Sequence, residues 1–171
     1  MRYIIIISLI TLSLNANNDE KIREFFLDNG FTYHGVAAIM GFLYYQSSFD
    51  PSIYDKAKQR KIGLSNEEYI RKTNDGSYKN FVTDKVGFGI AFWVHYSKKR
   101  ELLNMCRGKI SDLYCQLNFF MKELMEYPDV YEILKNTYDL STACDTIFID
   151  FAQYEINKLL NQHRIYCKKF L

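Results

Sequence analysis

Residues 32–51 read TYHGVAAIMGFLYYQSSFDP, and this stretch decides the fold class. Val36, Ile39, Met40 and Leu43 recur at the three-and-four spacing of one helical face. Thr32 supplies a hydroxyl for the free amides of the first turn. The helix runs on to Ser47, and Asp50-Pro51 stops it, because a residue before proline is pushed out of helical backbone. So apolar a helix needs partners, and the sequence offers further helices. Upstream, Ile22, Phe25 and Phe26 share a face over Lys21–Asn29, closed by Asn29-Gly30 as a C-cap pair.

Downstream, Ser52 to Val86 is polar, with Asn74-Asp75-Gly76 as a turn and one short helix expected from Ser65 to Thr73. Gly87-Phe88-Gly89-Ile90-Ala91-Phe92-Trp93 sets two glycines in an apolar run and reads as an irregular segment or short hairpin. Helices then resume. Ser97 starts one with Leu102, Leu103 and Met105; Ser111 starts another with Leu113, Leu117, Phe120 and Leu124, ending before Pro128. Val130, Ile133 and Leu134 mark a short helix. One or two closing helices from Ser141 to about Lys168 carry Cys144, Ile147, Phe148, Phe151, Tyr154 and Leu159. The expectation is a mainly α (α+β) protein, a single compact helical domain over 17–171 with one small hairpin or irregular segment.

The composition agrees. Of 171 residues 48% are hydrophobic and 25% charged, a globular balance. Fourteen Tyr and 13 Phe against 2 Pro and 8 Gly give many large core side chains and few breakers. Lys and Arg total 22 against 20 Asp and Glu, and a net charge of +2 gives no basis for nucleic-acid binding.

The first 16 residues read as a secretory signal peptide. Met1-Arg2 gives one positive charge, Tyr3–Leu14 is almost wholly apolar, and Asn15-Ala16-Asn17 turns polar, with cleavage after Ala16. The run is short for a membrane span, which needs about 20 apolar residues. The mature chain is therefore expected outside the cytoplasm and free of the membrane. In such a compartment Cys106, Cys115, Cys144 and Cys167 can form two disulfides with three connectivities. Cys106 and Cys115 flank the turn between two helices and are the first choice, with Cys144 to Cys167 second. No Cys-x-x-Cys pair occurs, and His34, His95 and His163 lack ligand spacing, so neither metal nor cofactor is expected.

Several stretches resemble one family when taken in order: Val36-Ala37-Ala38-Ile39-Met40-Gly41, Ser47-x-Phe49-x-Pro51, Ile62-Gly63-Leu64-Ser65-x-x-Glu68-Tyr69, Gly76-x-Tyr78-x-Asn80-Phe81-Val82, Gly87-Phe88-Gly89-Ile90-Ala91-x-Trp93 and Gln116-Leu117-Asn118-Phe119 with Glu123-Leu124. The ordered set is similar to the phage tail lysozyme (tail lysin) domain of the lysozyme-like superfamily. That resemblance implies a helical fold with a small hairpin region and a cleft for the β-1,4-linked amino sugars of peptidoglycan. It assigns Gln46, Ser47, Gly87, Gly89, Phe92 and Trp93 to the glycan; read from the residue alone, the lone Trp in its glycine-framed segment is either a flat ring for sugar stacking at the cleft or a core residue.

The family's acid motif reads Gly-Asn-x-x-Ala-Glu-Ser, where the glutamate protonates the glycosidic oxygen. Here Gly41-Phe42-Leu43-Tyr44-Tyr45-Gln46-Ser47 puts Gln46 at the acid position, Phe42 for the asparagine and Tyr45 for the alanine. Phe92 stands where the glycine-rich motif carries glutamine, and Phe151-Ala152-Gln153-Tyr154 keeps only the aromatic of an aromatic-Glu-x-Pro element. An amide has no proton to transfer near neutral pH, and loss of general acid catalysis costs about two to four orders of magnitude. Three readings follow: a degenerate lysozyme-like protein that binds glycan or a partner, an active muramidase with a displaced acid (Asp84 before Asp50), or a structural and interaction module.

Overall fold

The computed structural model describes residues 18–154 and 156–171, and of 156–161 the backbone only. Residues 1–16, read above as a leader, lie outside the described residues. The chain forms two compact units, one of residues up to Phe49 together with Leu124–Leu171, the other Asp50–Glu123. The protein is mainly helical, as the sequence predicts.

The first unit is built around one helix. Residues 18–28 are helical (α1), followed by α2 (Tyr33–Ser47), α7 (Pro128–Asn136), α8 (Leu140–Asp145), a π-helical turn (Thr146–Phe151) and α9 (Ile156–Lys168). Thr32 caps α2 as predicted, its Oγ1 accepting from the Gly35 amide at 3.2 Å. The apolar stripe read from the sequence proves too narrow. Every residue from Gly35 to Leu43 is buried, so α2 is covered all round by α7, α8, the π turn and α9.

Glycines make that enclosure possible. A Cβ on Gly35 would meet the Leu134 carbonyl oxygen of α7 at 1.7 Å, and one on Gly41 the Cys167 amide nitrogen of α9 at 2.7 Å. The Cys144–Cys167 disulfide ties α8 to α9 beside that contact, with Cα atoms 6.2 Å apart. Helix α2 ends at Ser47, where Ser48 and Phe49 adopt left-handed backbone. The chain has thus turned out of the helix before Pro51 acts. The closing helical region, expected as one or two helices, is α8, the widened π turn and α9. The break comes at Ala152–Tyr154, where Gln153 has φ +56°.

The second unit contains α3 (Lys56–Ile62), α4 (Asn66–Asn74), α5 (Tyr96–Met105) and most of α6 (Leu113–Met125). The sequence predicted only one short helix before Val86. Helix α3 was not legible because it buries no side chain and so has no apolar period. Helix α4 carries a full capping box between Ser65 and Glu68. Helix α5 begins one residue before the predicted Ser97. Helix α6 is capped by Asp112, whose Oδ1 accepts from the Cys115 amide at 2.8 Å, instead of by Ser111. Cys106 and Cys115 form the other disulfide, with Cα atoms 5.8 Å apart. Both pairs are those chosen from the sequence.

Candidate functional site

Gln46 lies one residue before the end of α2, partly buried, and its Nε2 donates to Tyr154 Oη at 3.0 Å. Two aromatic residues of the same helix, Phe42 and Tyr45, pack nearby. Phe42 packs edge-on against Phe148 and Phe151, with ring centroids 5.5 and 6.1 Å away. Tyr45 contacts Phe148, Tyr154 and His163 at 5.9, 5.9 and 5.2 Å. His163 is 2% exposed and stacks flat on Phe148 at 4.0 Å. Burial pushes the Tyr154 phenol above its ordinary value and the His163 imidazole below its own. Through Tyr154, Gln46 therefore joins the edge of an aromatic cluster of Phe42, Tyr45, Phe148, Tyr154 and His163. Ser47 is buried and returns its hydroxyl to the Leu43 carbonyl at 3.1 Å, within the helix.

Gly87, Gly89, Phe92 and Trp93 come together in one tight turn of the second unit. Phe88 pairs with Trp93 across it (Phe88 N to Trp93 O 3.2 Å, Trp93 N to Phe88 O 2.9 Å), a short hairpin closed by a single antiparallel bridge. Gly89 has φ +79°, and a Cβ there would meet Gln116 Oε1 at 2.7 Å. Gln116 is fully buried and pins the turn. Its Oε1 accepts from the Ile90 amide at 2.9 Å, while its Nε2 donates to the carbonyls of Pro51 and Ile110, each at 2.7 Å.

Phe92 also has positive φ, +55°, rare for an aromatic residue, and its ring lies where a Gly87 side chain would be. Trp93 is only 6% exposed; its ring packs edge-on to Phe119 at 5.1 Å and its Nε1 donates to Glu123 Oε2 at 2.5 Å. Those contacts occupy the indole in packing, so a sugar would stack on it only if the turn opened.

Asp84, considered above as a displaced acid, is the centre of a buried polar cluster. Its side chain is 4% exposed and pairs with fully buried Lys99 at 2.5 Å. Asp84 also accepts from the Val86 amide (2.9 Å) and from the Tyr69 and Tyr78 hydroxyls (2.8 and 3.2 Å). Lys99 Nζ donates in addition to the Val86 carbonyl at 2.9 Å and stands 4.3 Å from the Phe81 ring centroid. Burial pulls the Lys99 ammonium below its usual range, partly offset by Asp84. Burial and the neighbouring carboxylate push the Tyr78 phenol up to about 12. With four donors on two oxygens, Asp84 has no face open to a leaving group. Sequence reading missed Lys99 because the charge run Lys98-Lys99-Arg100-Glu101 looks like a solvated helix face.

Asp50 is occupied as well: its Oδ1 accepts from the Ser52 amide and hydroxyl at 2.8 and 2.6 Å. Among the described residues no group of His, Cys, Asp and Glu side chains is arranged to hold a metal ion, and no helix is long and apolar enough to cross a membrane.

A mainly helical protein with one buried central helix, a glycine turn pinned by a buried glutamine and two disulfides is lysozyme-like in class. The family model for phage tail lysozyme matches residues 17–166, and the chain belongs to that family. No curated protein and no solved structure matches it.

Proposed function

We propose that this is a secreted lysozyme-like protein that has lost glycosidase activity and keeps the fold to bind an amino-sugar glycan of the peptidoglycan type. The observation that carries this reading is Gln46. At the position where the family places its acid, the side chain is an amide held on the Tyr154 hydroxyl at 3.0 Å. An amide can hydrogen-bond a glycosidic oxygen but cannot transfer a proton as the bond breaks. Phe42 and Tyr45 fill space that smaller side chains leave open in the family pattern, and Asp84 is committed to Lys99. Two disulfides suit an oxidising, extracytoplasmic destination.

The test is a turnover assay of the mature protein on purified peptidoglycan, with a pull-down on the same material. Binding without release of fragments is expected. Gln46→Glu should restore cleavage only weakly, because Phe42, Tyr45 and Phe92 still differ. Robust hydrolysis by the unmodified protein would overturn the reading, and absence of both binding and cleavage would leave a structural module in its place.

A further inference from the structure

Beyond the glycan reading, the second unit contains a groove of about 650 Å³ lined by Lys58, Val82, Lys85, Val94, His95 and Tyr96. The volume lies within the range of small-molecule sites. We propose that this groove binds an anionic sugar, one carrying a phosphate or carboxylate, with Lys85 meeting the charge and Tyr96 and Val94 the sugar's apolar face.

The first support is how Lys85 is presented. Lys85 adopts left-handed backbone (φ +58°), a conformation that non-glycine residues avoid. The two residues flanking it are gripped by one buried ammonium: Lys99 Nζ holds the Asp84 carboxylate at 2.5 Å and the Val86 carbonyl at 2.9 Å. Burying that charge is expensive, and it fixes a three-residue turn whose middle residue is an exposed lysine. Lys58 adds a further hold, donating from Nζ to the Lys85 carbonyl at 2.6 Å.

The second support is charge. No carboxylate lines the groove. Lys58 has Asp55 at 3.5 Å, whereas the Lys85 ammonium forms no ion pair among the described residues. The groove also borders the first turn of α5, which has no acidic residue.

The third is the apolar wall. Tyr96 is 54% exposed and Val94 41%, so both present apolar surface beside Lys85 in the groove lining. Arg100 stands 5.7 Å from the Tyr96 ring centroid and the tilted His95 ring 4.7 Å from it. An inorganic anion has no use for this wall. A sugar does, since pyranose rings stack flat apolar faces on aromatic rings.

The experiment titrates the full chain with N-acetylglucosamine 1-phosphate, glucuronate, neutral N-acetylglucosamine and inorganic phosphate, following amide chemical shifts. The phosphorylated sugar or the uronate should bind saturably and shift residues 82–85 and 94–96. The tighter of the two names the anion. A lost charge-assisted hydrogen bond predicts about tenfold weaker binding in Lys85→Gln, an exposed position where folding is not at stake. Tyr96→Ala should weaken the anionic sugars and leave inorganic phosphate unchanged. Glycan binding through Gln46 would shift Gln46 and Tyr154 instead, so failure here and failure of the functional reading are separable. The proposal is overturned if neither anionic sugar saturates, if Lys85→Gln binds as the unmodified protein does, if the neutral sugar binds as tightly, or if inorganic phosphate does, which would mean an adventitious ion only.

Discussion

Replacing Asp84 with Asn tests whether the buried cluster is structural or catalytic. The substitution keeps the shape and removes the charge opposite Lys99, leaving a fully buried ammonium without its carboxylate partner. Breaking a buried ion pair from one side costs about 3–5 kcal/mol. In a chain of 171 residues each kcal/mol moves the melting temperature by about 2–4 °C. A fall of roughly 6–20 °C in thermal unfolding followed by circular dichroism is therefore expected.

The sign of its pH dependence follows from Lys99. Burial already lowers this pKa and Asp84 opposes the shift, so removing Asp84 lowers it further. Between the folded value and the unfolded value near 10.4, the unfolded chain binds more protons, and stability of Asp84→Asn should rise with pH across that window. Lys99→Met should also destabilise, and the double variant should cost clearly less than the sum, because neither charge is then left alone. If Asp84→Asn unfolds like the unmodified protein, the structural account fails; if it also abolishes a lytic activity, Asp84 becomes the displaced acid.

Burial lowers the His163 pKa, so its stability contribution is complete above the unfolded value near 6.5 and is lost as pH falls toward the folded one. His163→Phe, which can keep the stack on Phe148, should flatten urea stability between pH 7 and 5; an unchanged slope would place the acid sensitivity elsewhere. Replacing Cys144 and Cys167 together by Ser opens a bridge spanning 23 residues, worth about 3 kcal/mol by chain entropy, and should lower the denaturation midpoint accordingly. No change in the midpoint would show that the helix packing around Gly41 alone sets that stability.

The sequence by itself determined the helical class, the central helix with its Thr32 cap and the glycine turn, and it favoured the Cys106–Cys115 pair. These are local signals. A 3.6-residue period, a capping hydroxyl, two glycines in an apolar run and cysteines at either side of a turn all act within a few residues. It also set Gln46, an amide, at the position to which the resemblance assigns the acid. Tertiary structure decided the rest. That α2 is buried on all sides depends on Gly35 and Gly41 admitting α7 and α9, partners far away in the chain. Helix α3 has no apolar period to read, because it buries nothing. Asp84 looked like a free loop carboxylate and Lys99 like a solvated one-of-many lysine. Only their meeting across 15 residues, inside a shell of Tyr69, Tyr78 and Phe81, turns two ordinary surface-type residues into a buried pair. Charge burial depends on what surrounds a group in three dimensions, and neighbours in sequence do not report it.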